Sequence, residues 1–202
     1  MDRRQFITRD MDRRQFITRA GIGSLGLGAL AVTPTALAGY RKGDGHQHFS
    51  LVAISGTSAA EAGFDHALVL EGAASFKAKN GQVDREGGGN FNHIRFAPAF
   101  PMGQQLVASG KWELTGFVSY TSNLPDYGRV RPSILVVTVD LHPDAGGSLA
   151  GTLQVICNVG FAGLLTGQPE GFRLNLPGAG INFDTPLVGL THISIPEGES
   201  SS

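Results

Sequence analysis

The most regular feature of the chain is an alternation of apolar and polar side chains on both sides of Asn80-Gly81. A period of two predicts strands with one buried face, because successive side chains of a strand point to opposite faces. Asn-Gly favours a two-residue type I′ turn, so we expect a long hairpin over residues 66–96 in which Ala78 pairs with Val83. The buried face of its first arm is predicted to contain Leu68, Leu70, Gly72, Ala74, Phe76 and Ala78.

The second arm of this hairpin contains a glycine run at residues 87–89. No helix is predicted after the run, so a bulge or twist is favoured over a phosphate-binding loop. A bulge would decide which side chains face inward, because one extra residue exchanges the two faces of a strand. Without a net extra residue, the inner face continues with Arg85, Phe91, His93 and Arg95. With one extra residue, it continues with Asn90, Asn92, Ile94 and Phe96.

The rest of the chain also shows strand patterns. Residues 104–121 alternate and predict a long strand that buries Trp112 on one face with Leu106 and Val118, with bends near its glycines. Residues 133–141 are mostly apolar and β-branched, which is typical of a central strand. Further strands are predicted over residues 49–54, 149–159, 171–176 and 187–195. No stretch after residue 38 has a sustained helical period with caps.

About eight strands with short connections predict one all-β domain over residues 39–196, followed by a disordered tail over residues 197–202. The expected fold is a single antiparallel eight-stranded barrel, because long bent strands can close on themselves and so remove exposed edges. A two-sheet β-sandwich is the alternative. The layout resembles the small antiparallel barrels of allene oxide cyclases and dirigent proteins, and this resemblance is one of layout alone.

The first part of the chain has the features of an export signal. Residues 1–9 recur unchanged as residues 11–19, so either a short duplication occurred or Met11 is the true start. After Met11, a basic front precedes an apolar run at residues 20–32, which is too short to span a bilayer stably. Ala36-Leu37-Ala38 then provides a small-x-small cleavage site. We therefore expect a signal peptide over residues 1–38 and a mature protein that begins at Gly39.

Two adjacent arginines lie in the basic front of this segment. Arg13-Arg14, followed by Phe16, resembles the twin-arginine translocation signal, although Asp12 occupies a position where Ser or Thr is commoner. The resemblance implies that the twin-arginine export machinery carries an already folded protein to the periplasm or the extracellular space. An ordinary secretory signal that contains two arginines is the alternative.

Composition excludes several classes of partner. The whole chain has a net charge of −1, and residues 1–38 contain six arginines and three aspartates, so the remaining 164 residues carry about −4. Such a chain has no basic stripe to meet the phosphates of nucleic acid. No apolar run long enough for a membrane span follows the signal. Cys157 is the only cysteine, so no internal disulfide is expected, and its apolar neighbours indicate a buried side chain.

One short motif suggests a metal ion. His46 and His48 are two residues apart, and on a strand both imidazoles would point the same way and could bind one ion. A metal site needs further ligands, which the sequence does not identify. No nucleotide-binding fingerprint or nucleophile elbow is present, and the sequence identifies no cofactor.

The leading functional hypothesis is the binding, and conversion if the protein is an enzyme, of a small, largely apolar molecule inside or at the mouth of the barrel. In an enzymatic version, His93 would be the acid or base, and Arg85 or Arg95 would stabilise an anion. A non-catalytic secreted or cell-surface protein with a filled core is the second hypothesis, and metal binding through His46 and His48 is the third. The predicted ligand-binding residues are Arg85, Asn90, Asn92, His93 and Arg95.

Overall fold

The structure is a computed structural model, and it describes residues 46–57, 66–84, 86–96, 104–122, 130–158 and 168–194. The chain divides into a unit of residues 1–40 and a unit of residues 41–202, and all described residues belong to the second unit. The predicted signal, the predicted tail and Arg85 lie outside the described residues.

The described residues form one antiparallel sheet of ten strands. The strands are β1 (Gln47–Gly56), β2 (His66–Lys77), β3 (Gln82–Val83), β4 (Gly88–Phe96), β5 (Gln104–Thr121), β6 (Ser133–Pro143), β7 (Leu149–Cys157), β8 (Gly171–Leu176), β9 (Ile181–Phe183) and β10 (Thr185–Ile193). Along the sheet, the strands follow the order β10-β1-β2-β4-β5-β6-β7-β8-β9, and β3 pairs with β2. Apart from the short strands β3 and β9, eight strands remain. The predicted all-β antiparallel barrel is therefore confirmed as a nearly closed, barrel-like sheet.

The chain itself joins the two ends of this sheet. Only Asp184 separates β9 from β10. β9 pairs with β8, where Leu174 lies opposite Phe183, whereas β10 pairs with β1, where Gly56 lies opposite Thr185. The segment from β9 to β10 therefore changes its partner strand at Asp184, and this change links the two ends of the barrel-like sheet.

After Asp184 in the chain, side chains connect β10 to the β7–β8 side of the sheet. We call these contacts the seam. The backbone N–H of Thr191 donates to a carboxylate oxygen of Glu170 over 2.8 Å, and the Thr191 hydroxyl donates to the carbonyl oxygen of Ile156 over 2.7 Å. The thiol of Cys157 donates to the carbonyl oxygen of Thr191 over 3.5 Å, and Cys157 is buried as predicted. Side chains therefore satisfy backbone groups that an open sheet edge would expose.

The inward faces of the strands pack into one contiguous apolar core. Its aromatic members are Phe49, Phe76, Phe91, Trp112, Phe172 and Phe183. The Trp112 side chain is buried as predicted; its indole stacks on Phe49 and donates through Nε1 to the carbonyl oxygen of Glu71 over 3.1 Å. None of the described residues forms a helix long and apolar enough to cross a membrane.

The predicted two-residue turn is wrong. Residues Ala78–Asn80 form a 3₁₀ turn, and Gly81 follows in the left-handed region with φ 61°, so four residues connect the strands. Val83 consequently pairs with Phe76 instead of Ala78. Two further residues in the second arm then restore the predicted register before β4, so that Leu70 lies opposite Phe91. β4 therefore faces the core as expected for a hairpin without a net extra residue.

The glycine run lies between two backbones that approach closely. A Cβ atom on Gly88 would overlap the carbonyl oxygen of Trp112, and one on Gly89 would overlap the carbonyl oxygen of Glu71. Glycine is needed here because β4 passes between β2 and β5 with no room for side chains on these residues. The change of register in the second arm falls between Val83 and Gly88.

β5 contains several irregularities that the sequence pattern did not locate. The register shifts against β4 near Leu106 and against β6 at two places, between Leu114 and Gly116 and between Phe117 and Ser119. Each shift changes which residues face inward. The predicted burial of Leu106 and Val118 is therefore wrong, since these side chains are 59% and 53% exposed. Phe117 instead stacks on Phe76.

Candidate functional site

Two histidines meet on the inner face near one end of the barrel. In the pairing of β2 with β4, Leu68 lies opposite His93 and His66 lies opposite Arg95, so His66 and His93 are diagonal neighbours on one face. His66 Nδ1 and His93 Nε2 are 2.8 Å apart, and the ring centroids are 4.9 Å apart. At this distance one ring donates a hydrogen bond and the other accepts it.

His93 lies among apolar side chains. Leu68 is opposite it in β2, Ala108 is opposite it in β5, and the Phe183 ring meets it edge-on with the centroids 5.3 Å apart. Burial, together with the nearby His66, lowers the pKa of His93 from 6.5 to about 4. The His93 imidazole is therefore neutral at pH 7.

Thr57 extends this cluster from β1. Its backbone N–H donates to the carbonyl oxygen of His66 over 3.0 Å. Ser55 lies opposite Leu68, so two residues further on the alternation of the strand places Thr57 on the same inner face beside His66. Thr57 is only 4% exposed, and its hydroxyl oxygen has no hydrogen-bond partner among the described residues. Such a group destabilises the folded state unless something else pairs with it.

Phe183, which belongs to β9, completes the arrangement. The Ser55 hydroxyl donates to the Phe183 carbonyl oxygen over 3.1 Å, which holds β9 against the end of β1. We call Thr57, His66, His93 and Phe183 the histidine cluster. It combines an aromatic ring, a buried hydroxyl group and two linked imidazoles, which are groups that can orient a small molecule through hydrogen bonds.

The structure separates the predicted ligand-binding residues into two faces. His93 points inward, and Arg95 lies at the same end of the barrel but is exposed. Asn90 and Asn92 are exposed on the outer face, where the Asn90 amide donates to the Glu71 carboxylate over 2.9 Å. Because side chains alternate along β4, these asparagines do not join His93 in one polar patch.

Sequence reasoning identified His93 but missed its partners. A signal for His66 was present, because the hairpin register without a net extra residue already placed His66 opposite Arg95. Thr57 and Phe183 belong to strands that the hairpin pattern does not include, and no local motif marks either residue. Only the closure of the sheet brings β9 close to β4.

His46 and His48 do not form a metal site with other described residues. Gln47 and Phe49 are buried, so His48 faces outward, and its Nδ1 lies 2.8 Å from the Ser75 hydroxyl oxygen. Within the described ranges, no three His, Cys, Asp or Glu side chains are placed to hold a metal ion together. Metal binding through His46 and His48 stays a prediction without structural support.

The fold and the site together define a barrel-like antiparallel β protein with a polar cluster at one end of an apolar core. No family model, curated protein or solved structure matches the chain. The function is therefore inferred from the geometry of the histidine cluster.

Proposed function

We propose that the protein binds a small, largely apolar molecule at the end of the barrel that holds the histidine cluster. The observation that carries this proposal is an imidazole pair, in which His93 is neutral and lies among apolar side chains, beside a buried hydroxyl group without a partner among the described residues. A few converging polar groups in an apolar wall are typical of small-molecule sites, where they fix the orientation of the ligand.

The filled core restricts where such a molecule can bind. The inward side chains of the strands pack against one another in a single cluster, in which Phe49 contacts both Phe76 and Trp112. This packing supports a site at the mouth of the barrel instead of its centre. In a catalytic version of this function, neutral His93 would act as a base.

The direct test is native mass spectrometry of protein purified from its own cell envelope, with His93→Phe as the variant. Phenylalanine suits the apolar surroundings of His93 but removes both ring nitrogens, so we expect folding to persist and ligand retention to be lost. His142→Phe is the control, because His142 lies on another strand beside the exposed carboxylate of Glu113. A wild-type protein that carries no ligand, or a His93→Phe variant that retains it fully, would contradict the proposal.

We also propose that residues 11–38 direct export through the twin-arginine machinery to the periplasm or the extracellular space. The support is the Arg13-Arg14 pair, the apolar run and the Ala36-Leu37-Ala38 cleavage site. Replacing both arginines by lysine in a chain that lacks residues 1–10 should abolish export, since the first copy would otherwise supply a second arginine pair. Normal export of this variant would favour an ordinary secretory signal.

A non-catalytic secreted or cell-surface protein is the second candidate, and the contiguous core favours it. Under this function, the histidine cluster only closes one end of the barrel. The His93→Phe variant would then match the wild type in mass and in every binding measurement.

A further inference from the structure

The histidine pair has a fixed hydrogen-bonding pattern towards any ligand. When both imidazoles are neutral, each carries one N–H, and the contact between His66 Nδ1 and His93 Nε2 uses one of the two. The ring that donates across this contact has a lone pair on its outer nitrogen, and the ring that accepts has an N–H on its outer nitrogen. In both tautomers, the pair therefore offers one donor and one acceptor.

Thr57 adds a second group on the same face that can both donate and accept hydrogen bonds. A hydroxyl can donate and accept at once, and that of Thr57 is buried without a described partner. Its placement opposite His66 brings the hydroxyl within reach of a group that also contacts the imidazoles. An unpaired buried hydroxyl is itself an indication that a ligand supplies the missing hydrogen bond.

The surroundings of the pair are unsuited to an anion. Besides His66, the described side chains around His93 include Leu68, Ala108 and Phe183, and these three supply no positive charge. The Arg95 side chain is exposed, so water screens its charge. A carboxylate or phosphate buried at the cluster would lose its hydration without a matching cation.

We infer that the ligand presents a neutral hydroxyl group to the histidine cluster, where Thr57 and the histidine pair both bond to it. A hydroxyl matches the pattern because it donates one hydrogen bond and accepts others, in either tautomer of the pair. This inference rests on the proposed function and specifies its ligand as an alcohol with an otherwise apolar body.

The test is a titration of the purified protein with three matched probes, octan-1-ol, heptyl methyl ether and octanoate. The ether has as many heavy atoms as the alcohol but cannot donate a hydrogen bond, and octanoate replaces the hydroxyl by an anion. Binding is measured by nuclear magnetic resonance, from the shifts of the His66 and His93 ring signals. We expect octan-1-ol to bind about tenfold more tightly than either other probe, which corresponds to one hydrogen bond.

Two substitutions at Thr57 test the role of the hydroxyl. Thr57→Val has the same shape without the hydroxyl and should weaken octan-1-ol binding about tenfold. Thr57→Ser keeps the hydroxyl and should bind octan-1-ol like the wild type.

The outcomes separate this inference from the function on which it rests. Equal or tighter binding of the ether or of octanoate, or an unchanged alcohol affinity in Thr57→Val, would overturn the hydroxyl assignment and leave the binding function standing. No shift of either histidine with any of the three probes would overturn both.

Discussion

Thr57 and His93 are polar side chains held among apolar neighbours, and without a ligand both are less favourable than apolar residues of the same shape. The Thr57 hydroxyl has lost its water without gaining a described partner, and the His93 imidazole is kept neutral by its surroundings. Proteins keep such groups at sites where another molecule completes them. The effect of each polar side chain on the free energy of unfolding can therefore be measured with single substitutions.

Replacing Thr57 by valine should stabilise the protein in the absence of ligand. The substitution removes a buried hydroxyl that lacks a partner in the described part of the chain and keeps the volume, so we expect the free energy of unfolding to rise by about 1 kcal/mol. Urea denaturation followed by the fluorescence of Trp112 measures this, since it is the only tryptophan. Thr57→Ser, which keeps the hydroxyl, is the control. A loss of stability in Thr57→Val would mean that the hydroxyl already has a partner.

The stability of the protein should fall as the pH is lowered from about 6.5 to 4. In this window the unfolded chain binds a proton at His93 that the folded protein does not bind, because the pKa of His93 is about 4 in the fold and 6.5 in the free side chain. Burial also lowers the pKa of His192, which adds to the effect in the same direction.

Thermal unfolding at pH 7 and at pH 4.5 tests the contribution of His93. A His93→Gln variant should lose less of its melting temperature between these values than the wild type, with His142→Gln as the outer-face control. An equal loss in the wild type and in His93→Gln would show that His93 does not titrate in this way.

At the scale of strands, β4 shows what the sequence could and could not predict. Alternation left two inner faces possible for β4, and the one with Phe91 and His93 is observed, because two departures from the ideal hairpin cancel. The outward turns of Leu106 and Val118 in β5 could not be predicted, since both are apolar and each bulge depends on contacts with another strand. Alternation thus predicts which side chains face inward only in parts of a strand that lie between bulges or register shifts.

A side chain on Gly89 should weaken the packing of β4 against β2. A Cβ atom there would overlap the Glu71 carbonyl oxygen, so Gly89→Ala should cost about 1–3 kcal/mol of unfolding free energy. Gly178→Ala is the matched control, because a Cβ atom at Gly178 meets nothing within 4 Å. Similar denaturation midpoints for the two variants would show that the strands can separate to admit the methyl group.

At the scale of the whole barrel, the change of partner strand at Asp184 brings Phe183 to the histidine cluster. His66 and His93 belong to one hairpin, Thr57 directly follows β1, which pairs with β2, and Phe183 belongs to β9. The hairpin half of the site was accessible from the sequence. The position of Phe183 depends on the partner change at Asp184, which no local pattern indicates.

The seam can be tested at Glu170. Glu170→Ala removes the acceptor of the Thr191 backbone N–H, and we expect a loss of about 1–3 kcal/mol together with faster hydrogen exchange at that amide. Glu170→Gln keeps an acceptor oxygen and should behave much more like the wild type. Unchanged exchange at Thr191 in the alanine variant would show that other contacts protect this edge.

The pairing of β1 with β10 also fixes the order of events during synthesis. β1 is the first described strand and β10 the last, and the two ends are bonded to each other through His48 and Ser194. A nascent chain on the ribosome can form the hairpins in sequence, but it cannot complete the barrel until residue 193 has emerged. Because contacts so distant along the chain form slowly, folding ends with the docking of β10, and until then a nearly complete sheet has two unpaired edges. A transporter that accepts only folded cargo would thus act on this protein after β10 has docked.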